Sequence, residues 1–273
     1  MIFHDGHVHT PFCPHGSKDE LEEYVLRAIE LGLTGLTFTE HAPLPLSFED
    51  PTPEQDSAMK ADLLDEYLSS VLQLKEKYKG KCNILVGLEV DFIEGYEEDT
   101  KRFLNQVGPH LDDSILSVHF LKDKEGRYHC LDFNEDVFAE MIDTFGTVKN
   151  IYDCYFQTVK QSIMSNLGTH KPKRIGHLTL VTKFQQAFPP TFSYDQQVEE
   201  ILDLIKAGRF AVDYNSAGVV KPLCKEPYPP KRFVTICENK NIPLVYGSDA
   251  HTVKGLLQGA DKLKKGVHFS APL

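Results

Sequence analysis

The sequence predicts an α/β fold in which seven parallel strands form a closed or nearly closed barrel, one unit short of the usual eight. Three observations predict it. β-rich apolar runs alternate with amphipathic helical patterns, the sequence form of a parallel sheet with helical crossovers. Three glycines, Gly32, Gly80 and Gly208, stand just before a strand-like run, where a helix C-terminal cap belongs. Imidazoles and carboxylates also recur where successive runs end, and such groups converge only if the strands lie parallel around a common mouth.

The elements follow in order. A strand near 2–8 closes on His7 and His9, and Leu21, Val25, Ala28 and Ile29 then mark an amphipathic helix. A strand at 34–39, containing Leu36-Thr37-Phe38-Thr39, is followed by His41. Leu64, Tyr67, Leu68, Val71 and Tyr78 form the next helical stripe, before a strand at 83–90 that carries Glu89 at its end. The strand at 113–119 finishes on His119. Residues 120–133 hold the turn series Lys122-Asp123-Lys124-Glu125-Gly126 between short β-prone runs, which predicts a hairpin. A strand at 173–177 finishes on His177, and Val198, Ile201, Leu202 and Ile205 repeat the helical spacing. Strands at 210–214 and 242–247 complete the set, the last followed by Asp249 and His251. Segments 120–133, 178–193 and 216–230 exceed plain connectors and follow strands, so they belong at the mouth, where barrel loops carry specificity.

No linker or low-complexity tract divides residues 1–273, and that length is normal for one β/α barrel. The formal net charge of −11 argues against binding a nucleic-acid backbone, which needs a basic footprint. It leaves a small phosphorylated substrate open, because bound cations invert a local potential. The six cysteines show no CxxC and no zinc-finger spacing, and as free thiols they suit packing positions. The start of the chain lacks the basic leader and apolar stretch of an export signal, and no apolar run reaches the roughly 20 residues that span a bilayer. Membranes are therefore not expected as partners, and the cytoplasm is the expected compartment.

In a strand, side chains two apart share a face, so His7 and His9 can grip one cation while Asp5 lies a step below. Asp5 is expected to hold the second nitrogen of an imidazole and fix its tautomer. The Asp249-Ala250-His251 turn presents two further ligands, and the carboxylate of Glu89 can bridge two ions as a neutral imidazole cannot. One Glu among many His describes a multinuclear centre. His15 lies in a proline-rich loop, and His4, His110, His129, His170 and His268 fit no strand end. His129, in a mouth-side segment, is the likeliest of these five to approach the site.

These motifs resemble, in order and over nearly the whole chain, those of the polymerase-and-histidinol-phosphatase (PHP) superfamily: Asp5-Gly6-His7-Val8-His9, Thr39-Glu40-His41, Gly87-Leu88-Glu89, Ser117-Val118-His119, Gly176-His177 and Gly247-Ser248-Asp249-Ala250-His251. Cys13-Pro14-His15-Gly16, Glu40-His41-Ala42-Pro43, the run from Asp213 to Gly218 and Glu226-Pro227-Tyr228-Pro229 resemble its monofunctional histidinol-phosphatase branch. The resemblance implies a distorted (β/α)7, TIM-like barrel and three divalent ions. The first would be held by His7, His9, Glu89 and Asp249, the second by Glu89, His119 and His177, and the third by His15, His41 and His251. Mixed imidazole and carboxylate ligation suits zinc, iron or manganese without choosing among them.

The resemblance further implies hydrolysis of L-histidinol phosphate to L-histidinol and phosphate in histidine biosynthesis. A hydroxide bridging two ions would attack phosphorus, with no side-chain nucleophile required. Glu89, Asp249 and His251 are the candidate catalytic groups, the last two as acids acting through water. Lys221, Arg174 and Arg232 are alternative phosphate contacts. Glu40, Asp213 and Asn215 are candidate partners for the substrate's amine and imidazole, or equally loop caps, and Phe184, Phe188 and Tyr228 could stack on its ring. Three rivals stand beside this reading: a PHP phosphoesterase acting on nucleotides, a carbon–nitrogen hydrolase on a related metal barrel, and a metal-binding protein without turnover. A carbon–nitrogen hydrolase would leave His15 and His41 without an ion. Oligomeric state is not expressed in the sequence.

Overall fold

The computed structural model describes residues 2–272. Seven parallel strands form one sheet: β1 (His4–Val8), β2 (Gly35–His41), β3 (Asn83–Asp91), β4 (Asp113–Ser117), β7 (Arg174–Ile175), β8 (Ala211–Asn215) and β9 (Leu244–Gly247). They neighbour one another in that order, and the sheet then curls back on itself. The His9 N–H donates to the Ala250 carbonyl at 2.9 Å and the Asp249 N–H to the His7 carbonyl at 2.8 Å, joining first strand to last. The result is a nearly closed seven-stranded barrel, the distorted (β/α)7 form expected.

Helices cover the outside: α1 (Leu21–Glu30), α2 (Leu64–Lys77), α3 (Glu97–Val107), α4 (Glu135–Phe145), α5 (Val148–Met164), α6 (Asp195–Gly208), α7 (Ala217–Val220) and α8 (Lys231–Asn239). Helix α1 opens on a reciprocal capping box between Glu20 and Glu23, which satisfies two orphan N–H groups. It buries Tyr24, Val25 and Ala28, whereas Ile29, expected on that face, points outward. Helix α6 buries Val198, Ile201, Leu202 and Ile205 as their spacing predicts. Gly32 and Gly80 take positive φ after α1 and α2. Gly208 does not: it stays helical, and Arg209 (φ 56) makes the left-handed turn one residue later. The expected hairpin is present as antiparallel β5 (Phe120–Lys122) and β6 (Tyr128–Cys130).

One apolar core runs from Val8 to Phe269 between sheet and helices. Where strands pass closest, glycine is obligatory. A Cβ on Gly176 would lie 2.0 Å from Ser117 Oγ, and one on Gly247 2.3 Å from Asp213 Oδ1 and 2.8 Å from His7 Cβ. No helix among the described residues is long and apolar enough to cross a membrane.

Candidate metal centre

The strand ends converge as the parallel topology requires. His7 and His9 leave β1, Glu89 sits near the end of β3 in register with His41 on β2, and His119 follows β4. His177 follows β7, and Asp249 and His251 follow β9. Asp249 adopts φ 54, a left-handed conformation that Asp tolerates better than most residues, and this turn brings its carboxylate to the His7–His9 pair.

Ring tautomers follow from hydrogen bonds at the far nitrogens. His7 Nδ1–H donates to Asp213 Oδ2 at 2.9 Å, His9 Nδ1–H to Glu40 Oε1 at 3.3 Å and His119 Nδ1–H to Asp91 Oδ1 at 2.7 Å. His15 Nδ1–H donates to the Asp56 carbonyl at 2.8 Å. With Nδ1 committed, each Nε2 carries a lone pair into the centre. There the acceptors crowd together: His7 Nε2 to His9 Nε2 is 3.3 Å and His9 Nε2 to Asp249 Oδ1 is 3.2 Å. Glu89 Oε2 lies 3.3 Å from His7 Nε2 and 3.5 Å from His9 Nε2. Its other oxygen faces the second group, 2.8 Å from His177 Nε2, which is 3.1 Å from His119 Nε2.

Donor atoms around a tetrahedral zinc, each about 2.0–2.1 Å from the metal, lie about 3.3 Å apart. The observed spacings fit that figure, and such a convergence of imidazole nitrogens and carboxylate oxygens suits a cation. His7, His9 and Glu89 form one compact ligand group, and Glu89, His119 and His177 form another. His41 and His251 belong to a third group, with His9 and Cys13. The His15 ring lies beside them, its centroid 5.2 Å from each of theirs, but its nitrogens fall outside the compact set. Cys13 was not singled out as a donor in the sequence, since a lone thiol beside prolines carries no spacing signal.

The electrostatics agree. Burial alone would lower the basicity of His119, yet Asp91 and Glu89 raise its pKa to about 10. Burial likewise opposes protonation of His9, and hydrogen bonds from its protonated ring to the Asp249 and Glu40 carboxylates raise its pKa to about 9. Burial alone would raise Asp249, but His7, His9 and His251 hold it well below the usual carboxylate range. That is the form that binds a cation, not the form that donates a proton. The site asks for positive charge.

His15, His41, Glu89, His119, His177, Asp249 and His251 line a cavity of about 470 Å³, while His7 and His9 are wholly buried. All three long segments line it: 120–133 through Phe120, Cys130, Asp132 and Phe133, 178–193 through Leu180 and Lys183, and 216–230 through Ala217, Lys221 and Tyr228. Of the expected substrate contacts, Lys221 lines the cavity. Glu40, Asn215 and Arg174 do not. Glu40 is wholly buried, accepting the Thr10 N–H at 2.8 Å and the His41 N–H at 2.9 Å besides holding His9. Asn215 is buried with its amide on Asp213 and Asp249. Arg174 is enclosed in the barrel with its guanidinium 2.5 Å from Asp113 Oδ2, and Arg232 pairs with Asp195 on the outer surface.

Asp5 also differs from expectation. It accepts the Ser248 N–H at 2.9 Å, and Asp213 takes the imidazole-holding role instead. His129 pairs with Asp123 in the hairpin, and Phe184 and Phe188 pack on Phe138, away from the cavity. Lys183 was not identified from sequence. Its ammonium is held 2.9 Å from Asp132 Oδ2 at the cavity wall, on a 3-10 turn whose direction no pattern announces.

The sequence model described as the PHP domain matches residues 5–217. The chain is 44% identical over 251 residues to a histidinol-phosphatase of Bacillus subtilis (strain 168), covering 90% of this chain and 92% of that one. A solved structure from Listeria monocytogenes, provisionally assigned as the histidinol phosphatase hisK, superposes with a TM-score of 0.90 at 40% identity, over 95% of this chain and 99% of that chain. The histidinol phosphate phosphatase of Lactococcus lactis subsp. lactis Il1403, solved with zinc, L-histidinol and phosphate, shares the fold at TM-score 0.72 and 20% identity, over 99% of this chain and 96% of that chain.

Proposed function

The chain belongs to the PHP domain family, and from that premise we propose that it is a histidinol-phosphatase, hydrolysing L-histidinol phosphate to L-histidinol and phosphate. The observation that carries this reading is the convergence of His7, His9, Glu89, Asp249, His119 and His177, the last four lining a cavity with lysines on its wall. Support for this substrate over other monoesters comes from the 44% identical relative. The reaction belongs to histidine biosynthesis, and six free thiols suit the reducing cytoplasm.

We assign His7, His9, Glu89 and Asp249 to one ion, Glu89, His119 and His177 to a second, and His15, His41 and His251 to a third. Zinc, iron and manganese all suit these donors. When bound, such ions supply Lewis acidity and lower the pKa of water toward neutrality. Asp213, Glu40 and Asp91 keep the ligand imidazoles in one tautomer, so no reorganisation is needed as substrate arrives. Lys221 and Lys183 supply positive charge toward a phosphoryl group, and Tyr228, Phe120 and Phe133 offer aromatic surface to an imidazole. His251 lines the cavity with Nδ1 3.1 Å from the Asp249 carbonyl, which leaves Nε2 for the ion or for proton transfer to the departing alcohol.

Phosphate release from L-histidinol phosphate, a panel of nucleotides and an aryl phosphate, each with and without a chelator, tests the reading. Chelator-sensitive turnover with preference for L-histidinol phosphate is expected. A nucleotide preference would make this a different PHP phosphoesterase, and metal uptake without release from any ester would leave a binding protein.

A further inference from the structure

The third ligand group contains a sulfur. Cys13 is fully buried, and its Sγ lies with one nitrogen each of His9, His41 and His251 in a set whose atoms are all within 4.8 Å of one another. His9 already directs Nε2 at Glu89 and Asp249 and Nδ1 at Glu40, so it has no nitrogen to spare for another ion. Its ring instead stacks on His251, centroids 3.9 Å apart, and fills the space between the first group and the third. What remains is Cys13, His41 and His251, with the His15 ring alongside.

The loop carrying this thiol is firmly anchored. The Cys13 N–H donates to the Thr10 carbonyl at 3.0 Å, and Thr10 is itself fixed to Glu40. Ser17 N–H donates to the His251 carbonyl at 2.9 Å, tying the far end of the loop to the last strand. The Gly16 N–H donates to the Cys13 carbonyl at 3.3 Å, closing the turn around the thiol. A second observation points to a ligand: His41 Nδ1, wholly buried, makes no hydrogen bond among the described residues although it lies 3.2 Å from Glu89 Oε2, two acceptors set at a distance that a shared cation suits. Cys82, Cys154, Cys224 and Cys237 belong to no such group. Cys130 lines the cavity, but its sulfur faces Asp132 at 3.6 Å.

We propose that Cys13 is a protein ligand of the third ion, which makes that site a mixed thiolate and imidazole centre with His15, His41 and His251. Binding exchanges one proton for one metal–sulfur bond, and the proton leaves to solvent. A thiolate in the set favours zinc, and disfavours manganese and magnesium, at this position. The inference deepens the metal assignment above and rests on it, while leaving the choice of substrate untouched.

X-ray absorption at the zinc edge of the wild-type holoenzyme is the direct test, and it needs no variant to fold. A sulfur shell at about 2.3 Å is expected. That shell should persist in Cys130→Ser and vanish in Cys13→Ser, which should hold one ion at least about tenfold more weakly in chelator competition. A wild-type spectrum with only nitrogen and oxygen neighbours overturns the proposal, as does loss of the shell in Cys130→Ser. If L-histidinol phosphate is hydrolysed and no sulfur is seen, the ligand assignment falls and the function stands. If sulfur is present without phosphate release, the reverse holds.

Discussion

Asp213 Oδ2 accepts the Nδ1 proton of His7 at 2.9 Å, joining residues 206 positions apart in the chain. The bond fixes which nitrogen of His7 faces the centre. Asp213→Ala removes it, so the ring can rotate or change tautomer. We expect metal affinity to fall about 10–100-fold, the usual effect of losing such a partner. Bound metal measured at a series of chelator concentrations checks this, and unchanged retention would show that packing alone holds the ring.

Glu89 faces both ligand groups with different oxygens, 3.3 Å from His7 Nε2 and 2.8 Å from His177 Nε2. Glu89→Gln keeps the shape but replaces one oxygen with an amide donor, which cannot bind a cation. Turnover of L-histidinol phosphate should fall by more than about a hundredfold, beyond the effect of losing an outer partner. Activity within a few-fold of wild type would rule out a bridging role.

Lys183 stands on the cavity wall, paired to Asp132, and is not one of the metal donors. Lys183→Met should lower kcat/KM about 10–100-fold, the scale of about 1.5–3 kcal/mol for a charged hydrogen bond, with metal content unchanged. Steady-state kinetics beside elemental analysis separate this outcome from disruption of the centre.

His4 gives a prediction about acid stability. Its ring is buried at the start of β1, with Nε2 2.9 Å from Thr37 Oγ1, and burial followed by the charge of Arg174 lowers its pKa from 6.5 to about 3. Above pH 6.5 neither the folded nor the unfolded chain is protonated there, so the full contribution to stability is present. As pH falls from 6.5 toward 3 the unfolded chain takes up a proton that the folded chain refuses, at a cost of about 1.4 kcal/mol per pH unit. His4→Gln should therefore flatten the acid limb of a denaturant-stability profile by about that slope between pH 6 and pH 4. Parallel profiles for the two proteins would remove His4 from the account.

Positions of His7, His9, His119, His177, Asp249 and His251 are legible in the sequence because a strand end is a place, and parallel strands bring their ends together. Which face a neighbouring residue takes is less legible. Glu40 and His41 are adjacent on β2, so alternation turns one toward the centre and the other under Thr10 and His9. Read as a strand end alone, both look like mouth residues. The same ambiguity misplaced Asn215 and Arg174, since their burial depends on the partners that neighbouring strands bring, Asp249 after β9 and Asp113 on β4. Spacing alone gives Asp5 the imidazole-holding role and Asp213 a place beside substrate, and only closure of the barrel brings Asp213 to His7. Lys183 and Cys13 lie in irregular backbone, where neither period two nor period 3.6 says which way a side chain points.

The seam between Val8 and Ala250 has a temporal corollary. A ribosome emits His7 and His9 some 240 residues before Asp249 and His251, so a nascent chain displays unfinished chelating fragments throughout that interval. Completion of the ligand set must await the last strand of the barrel, so a cation would close as a clasp across its first and last strands.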